Sequence, residues 1–126
     1  MKIYIYNKKF VKESKDVQKA IINGIESLYT RIKTYEEQNI DFMHIFNDER
    51  VKYDKHGQFY TFKCFRSDMQ LRLLYSYLII DEEPIIVIAD FFIKKKNNKE
   101  YISKFDFANN LNPYDIYHKS QFLCAV

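Results

Sequence analysis

The 126-residue chain has no tryptophan, two glycines, two prolines and two cysteines. Scarcity of glycine and proline excludes a collagen-like or low-complexity linker chain and leaves room for few special turns, so most residues should belong to regular elements. Cys64 and Cys124 are too few for a disulfide framework and have no metal-ligand spacing with the three histidines. Cys64 lies inside an apolar run and reads as a small core hydrophobe. No apolar run approaches the roughly 20 residues of a membrane span, because the longest are broken by Arg72, by residues 81–84 and by Asp90. Residues 1–7 alternate instead of forming the continuous apolar stretch of a secretory signal, so a reducing cytoplasm is the expected compartment.

What the chain does have is aromatic mass. Eleven tyrosines and eleven phenylalanines make 17% of the residues, which argues against disorder. The length predicts one domain, residues 1–126, which would bury roughly two thirds of its unfolded surface and so needs no cofactor or staple for stability. Charge is unevenly spread. The net charge is only +3, yet residues 94–104 hold five lysines against one glutamate, while residues 36–54 hold six carboxylates against Arg50, Lys52 and His44. A concentrated basic segment can hold a polyanion without the whole molecule being basic; read alone, a lysine run is also what a solvated turn looks like.

Three β-rich runs organise the chain: residues 58–66, 71–80 and 85–93, separated by polar breaks at 67–70 and 81–84. Four-residue breaks are hairpin-sized and too short for a crossover, so the runs predict an antiparallel meander. Residues 2–6 alternate as a short strand that could join an edge of it. Between them, Val17, Ala20, Ile21, Gly24, Ile25, Leu28, Ile32 and Tyr35 recur at helical spacing behind Ser14, an acceptable N-cap, and Asp16 in the first turn. The expected fold is therefore α+β, with a long helix over residues 14–38 packed on a twisted, mainly antiparallel four-stranded sheet. A short helix after Asp41, carrying Phe42, Ile45 and Phe46, should lead back to the sheet through a charged loop containing His56. His44 and His56 read as ordinary surface or packing histidines. Asn97 or Asn98 can cap a C-terminal helix lined by Tyr101, Phe105, Ala108 and Leu111 and ended by Asn112 and Pro113; the tail beyond is either mobile or ordered by packing or by a partner.

Arg72 is the position that asks for an explanation. It falls with Leu74, Ser76 and Leu78 on one face of its strand, and a guanidinium among apolar side chains must reach the rim, pair with a carboxylate or meet an anionic ligand. Asp90, in the middle of the next strand, is the candidate carboxylate, and both a structural pair and an anion site stay open.

Phe65-Arg66, then Arg72-Leu-Leu-Tyr75, then the aliphatic run from Ile85 through Phe91-Phe92-Ile93 to Lys94-Lys95, then Asn98-Lys-Glu-Tyr101 together resemble the RelE/HigB superfamily of bacterial type II toxins, including its phage Gp49-like branch. The preceding strand and helix occur in a similar order; the family's glycine and proline around the lysine motif are replaced here by Asp90 and by Asn97 and Asn98. The resemblance implies a ribosome-dependent messenger RNA endonuclease, inhibited by a cognate antitoxin such as a helix-turn-helix protein. Its reaction is attack of an RNA 2'-hydroxyl on the adjacent phosphate, which needs orientation and charge neutralisation but no metal or other cofactor. It implies Arg72 and Lys95 on the scissile phosphate, Tyr101 stacking on a base or moving a proton, and Lys63, Arg66, Lys94 and Lys96 on neighbouring phosphates or ribosomal RNA. Two alternatives share the fold: a ParE-like gyrase inhibitor working through its C-terminal segment, and a phage-derived, catalytically silent protein-binding module. Only the nuclease needs Arg72, Lys95 and Tyr101 to converge.

Overall fold

The computed structural model describes residues 1–6, 10–41, 59–63, 71–93 and 112–126, without the side chains of Lys63 and Ile93. Along the chain these form β1 (Lys2–Ile5), a 3-10 turn (Phe10–Lys12), α1 (Lys15–Glu37), β2 (Tyr60–Lys63), β3 (Leu71–Ile80), β4 (Glu83–Ile93), a short helix α2 (Pro113–His118) and β5 (Gln121–Ala125). The architecture is α+β: one long helix on a mainly antiparallel sheet of order β2-β3-β4-β1-β5.

The long helix follows its sequence signals closely. Ser14 takes an extended conformation and its side chain accepts the Val17 N–H at 3.4 Å, which satisfies one of the donors a helix start leaves open. At the other end, Asn39 adopts a left-handed φ of 55°, while the Asn39 and Ile40 N–H groups donate to the carbonyls of Glu36 and Tyr35. That is a Schellman closure, with asparagine standing where glycine is usual. The expected apolar stripe is the buried one: Ala20, Ile21, Gly24, Ile25, Leu28 and Ile32 lie against the sheet. Gly24 being buried in that row fits a close approach of helix and strands.

The three central runs form the expected meander, β2 antiparallel to β3 and β3 antiparallel to β4. The second hairpin is tighter than a four-residue break suggests. Ile80 pairs with Glu83, and Asp81 and Glu82 both take positive φ, 51° and 67°, the two-residue type I′ arrangement whose twist suits flanking strands. Aspartate and glutamate occupy positions where asparagine and glycine are the unstrained choice.

The sheet has five strands, which corrects the expectation of four. β1 runs parallel to β4, with Ile3 opposite Ile86 and Ile5 opposite Ile88, and its other side pairs antiparallel with β5. It thus joins the β4 edge of the meander, as expected, and β5 on its other side makes it interior to the sheet. The extra strand comes from the tail, which is ordered by packing: the free side of β1 needs ladder partners, and residues 121–125 supply them. Asn112 and Pro113 also act differently from expectation. The Asn112 side chain accepts the Tyr114 N–H at 2.9 Å and Pro113 occupies the first turn, so the pair opens α2. The expected helices after Asp41 and after Asn97, with His44, His56 and Cys64, lie outside the described residues.

The sheet separates two apolar clusters. On the α1 side, Ile3, Ile5, Phe62, Leu71, Leu73, Tyr75, Ile86 and Ile88 pack against Ala20, Ile21, Ile25, Leu28 and Ile32. On the other side, Phe59, Leu74, Leu78, Ile85, Val87 and Ala89 pack against Ile116 of α2.

Candidate functional site

The site is built from one end of the meander. β2 ends at Lys63, β3 begins at Leu71 and β4 ends at Ile93, so all three open toward the same edge. In the pairing register Lys63 stands opposite Arg72, and Arg72 stands opposite Phe92, a row of residues crossing three strands. The lysine run 94–96 leaves the end of β4 two residues after Phe92 in the chain.

Arg72 is half-buried, with buried Leu71 and Leu73 as chain neighbours and buried Phe92 across the strand. By strand alternation it shares its face with Leu74 and Ser76, both fully buried. Asp90 is also on this face, opposite Leu74, and only 5% exposed. Its Oδ1 accepts the Phe91 N–H at 2.8 Å. Ser76 and Asp90 are the buried polar side chains among the described residues, and by register and alternation both share this face with Arg72.

Of the residues the sequence nominated, the structure therefore brings Lys63 and Arg72 into register, with Lys63 defined through its backbone only. Lys95 and Tyr101, and with them Arg66, Lys94 and Lys96, lie outside the described residues. Among the described residues, no three of histidine, cysteine, aspartate or glutamate come together so as to hold a metal ion. None of the described helices is long and apolar enough to cross a membrane.

Two further features were not anticipated. A polar hollow lies along α1, lined by Asn23, Glu26, Ser27, Thr30 and Arg31. Its Ser27 and Thr30 hydroxyls already donate to the Asn23 and Glu26 carbonyls at 3.0 and 2.9 Å, and the Arg31 guanidinium sits 5.4 Å from the centre of the Phe62 ring. With its donors engaged in this way, the hollow is a weaker ligand site than the sheet end. The second feature is an aromatic group beside α2: Tyr4 meets Tyr117 and Phe122 edge-on, with ring centres 5.0 and 5.6 Å apart. Burial pushes the Tyr117 hydroxyl above the ordinary tyrosine range, and its hydrogen bond with Tyr4 adds to the effect. Phe122 and Leu123 nonetheless remain 56% and 40% exposed on β5, at the sheet edge. The short apolar run of residues 122–126 is the signal that could have marked this strand, and so few residues carry it weakly.

No family model matches the chain, and neither a curated protein nor a solved structure is found to match it.

Proposed function

We propose that the chain is a RelE-like toxin of a type II toxin–antitoxin pair, acting in the cytoplasm as a ribosome-dependent messenger RNA endonuclease. The observation that carries the reading is the pairing of Lys63 with Arg72 at the end of the sheet from which residues 94–96 depart. A phosphodiester placed across that row meets a guanidinium whose planar fork suits two phosphate oxygens. The motif resemblance adds the chemistry. Arg72 and Lys95 hold the scissile phosphate as its charge grows, Tyr101 stacks on a base or assists proton transfer, and Lys63, Arg66, Lys94 and Lys96 hold the flanking backbone. The partner is an antitoxin, a helix-turn-helix protein or one with an acidic or amphipathic segment that orders as it covers the basic end.

Cleavage is tested by adding the purified protein to a translating extract and mapping new 5' ends on a defined messenger RNA. Cuts that require ribosomes and disappear with Arg72→Ala support the proposal. Intact message with folded protein, together with healthy growth of a bacterial host at high expression, overturns it. A neighbouring reading frame for a short helix-turn-helix protein would identify the antitoxin.

The exposed Phe122 and Leu123 favour one second reading, a ParE-like protein whose C-terminal segment contacts a protein target. In that case Phe122→Ser would abolish toxicity and Arg72→Ala would leave it unchanged.

A further inference from the structure

The register of the β3–β4 hairpin changes partway along, and the change decides where one carboxylate goes. From the turn, partners run without interruption from Ile80 and Glu83 through Ser76 and Val87 to Tyr75 and Ile88. Continued unbroken, this register would set Leu73 opposite Asp90 and Arg72 opposite Phe91. Leu73 belongs to the cluster under α1, so a regular strand would drive the Asp90 carboxylate into the apolar core. The structure instead has a bulge between Leu74 and Tyr75, after which Leu74 is opposite Asp90, Leu73 opposite Phe91 and Arg72 opposite Phe92. One extra residue in β4, Ala89, has moved Asp90 onto the face of Leu74 and Arg72 and has turned Phe91 toward the core under α1, against which it packs.

We propose that Asp90 is a positioning residue for Arg72, delivered to it by this bulge. Asp90 and Arg72 are diagonal neighbours across β3 and β4, a separation that a long side chain spans. The carboxylate is itself held, since it is almost fully buried and accepts the Phe91 N–H at 2.8 Å. A fixed carboxylate gives the guanidinium one orientation and leaves its remaining N–H donors for an anion at the sheet end. The bulge thus relieves the core of a charge and orients the phosphate-binding group in one step. What Arg72 is aimed at rests on the proposed function; that Asp90 orients it does not.

The test uses the full chain with Arg72→Ala, Asp90→Asn and both together. Asparagine keeps the shape and an oxygen for the Phe91 N–H while removing the charge. Three quantities are measured: ribosome-dependent cleavage, affinity for a short single-stranded RNA, and exchange of the Arg72 Nε–H by NMR, its signal assigned through Arg72→Lys. Asp90→Asn is expected to lower the cleavage rate at saturation about ten- to a hundredfold. RNA affinity should hold or rise, because every positive charge is retained. The double variant should cleave no more slowly than Arg72→Ala, and the Nε–H should exchange slowly in the parent and quickly in Asp90→Asn. Parental cleavage by Asp90→Asn while Arg72→Ala is impaired overturns the positioning role and leaves the nuclease reading standing. Equal Nε–H exchange in parent and variant also overturns it. A parent that neither binds nor cuts RNA overturns the nuclease reading, and a protected Nε–H released by Asp90→Asn then still upholds the positioning role. Should Asp90→Asn fail to fold, protection or its absence in the parent alone decides.

Discussion

The two faces of the sheet obey different rules. Beneath α1 the described buried side chains are hydrophobic, the Tyr75 hydroxyl being the polar group among them, and a 23-residue helix covers them. On the opposite face the covering helix has only six residues, and here the structure buries Ser76 and Asp90 and half-buries Arg72. Buried polar groups are costly unless each finds its partners, so a face that retains them beside an apolar alternative is the one to examine for a working role. The α1 face is the larger apolar core; the other face carries the buried polar side chains.

That contrast can be broken most forcefully by cavities. Leu28→Ala, at a fully buried position under α1, should cost about 3–4 kcal/mol in urea unfolding, whereas Leu78→Ala on the α2 face, slightly exposed and under a much shorter helix, should cost about 2 kcal/mol. Equal losses would mean that the second face is as much core as the first. Next in size is Arg72→Ala. If the face is functional, the variant loses about 3 kcal/mol of transition-state stabilisation, on the order of a hundredfold in cleavage rate, whatever its melting temperature. A drop of about 3 kcal/mol in stability without that loss would make Arg72 a structural partner of Asp90 instead.

A smaller effect sharpens the picture of the hairpin that carries both faces. Glu82 has a φ of 67°, a left-handed conformation that costs a non-glycine residue about 1 kcal/mol. Glu82→Gly should therefore raise stability by about 0.5–1 kcal/mol, the gain being limited by the greater freedom of glycine in the unfolded chain. An unchanged or lower melting temperature would show that the turn is held by something other than its backbone.

The smallest expected effect is at alkaline pH. Burial raises the hydroxyl of Tyr77 on the α1 face, with the Asp41 charge adding to it, and burial also raises Tyr117 on the α2 face, there helped by the bond with Tyr4. A phenol that holds its proton more tightly when folded contributes stability that is complete below its unfolded value near pH 10 and is lost as pH rises through its folded value. The contribution of these two hydroxyls should be level from neutral pH to about pH 10 and then fall, and Tyr77→Phe and Tyr117→Phe should each shallow the fall above that pH. A fall untouched by either substitution would assign it to other groups.

Periodicity and local signals were enough to find α1 with its N-cap, its buried stripe and the antiparallel order of β2, β3 and β4, because each of these depends on neighbours a few residues apart. The sequence also singled out Arg72 and named Asp90 as its candidate partner, since a charge in an apolar strand is visible without a structure. Other features depended on pairing between distant segments. β1 lies inside the sheet because residues 121–125 cover its free side, and nothing local in either strand states that preference. Asn112 and Pro113 are equally suited to beginning a helix and to ending one, and only packing of Ile116 against the second face chose between the two. Above all, strand alternation assigns Asp90 to the wrong face unless a bulge is inserted. The bulge keeps the carboxylate out of the apolar core beneath α1, and weighing one tertiary environment against another is a comparison that no window of sequence contains.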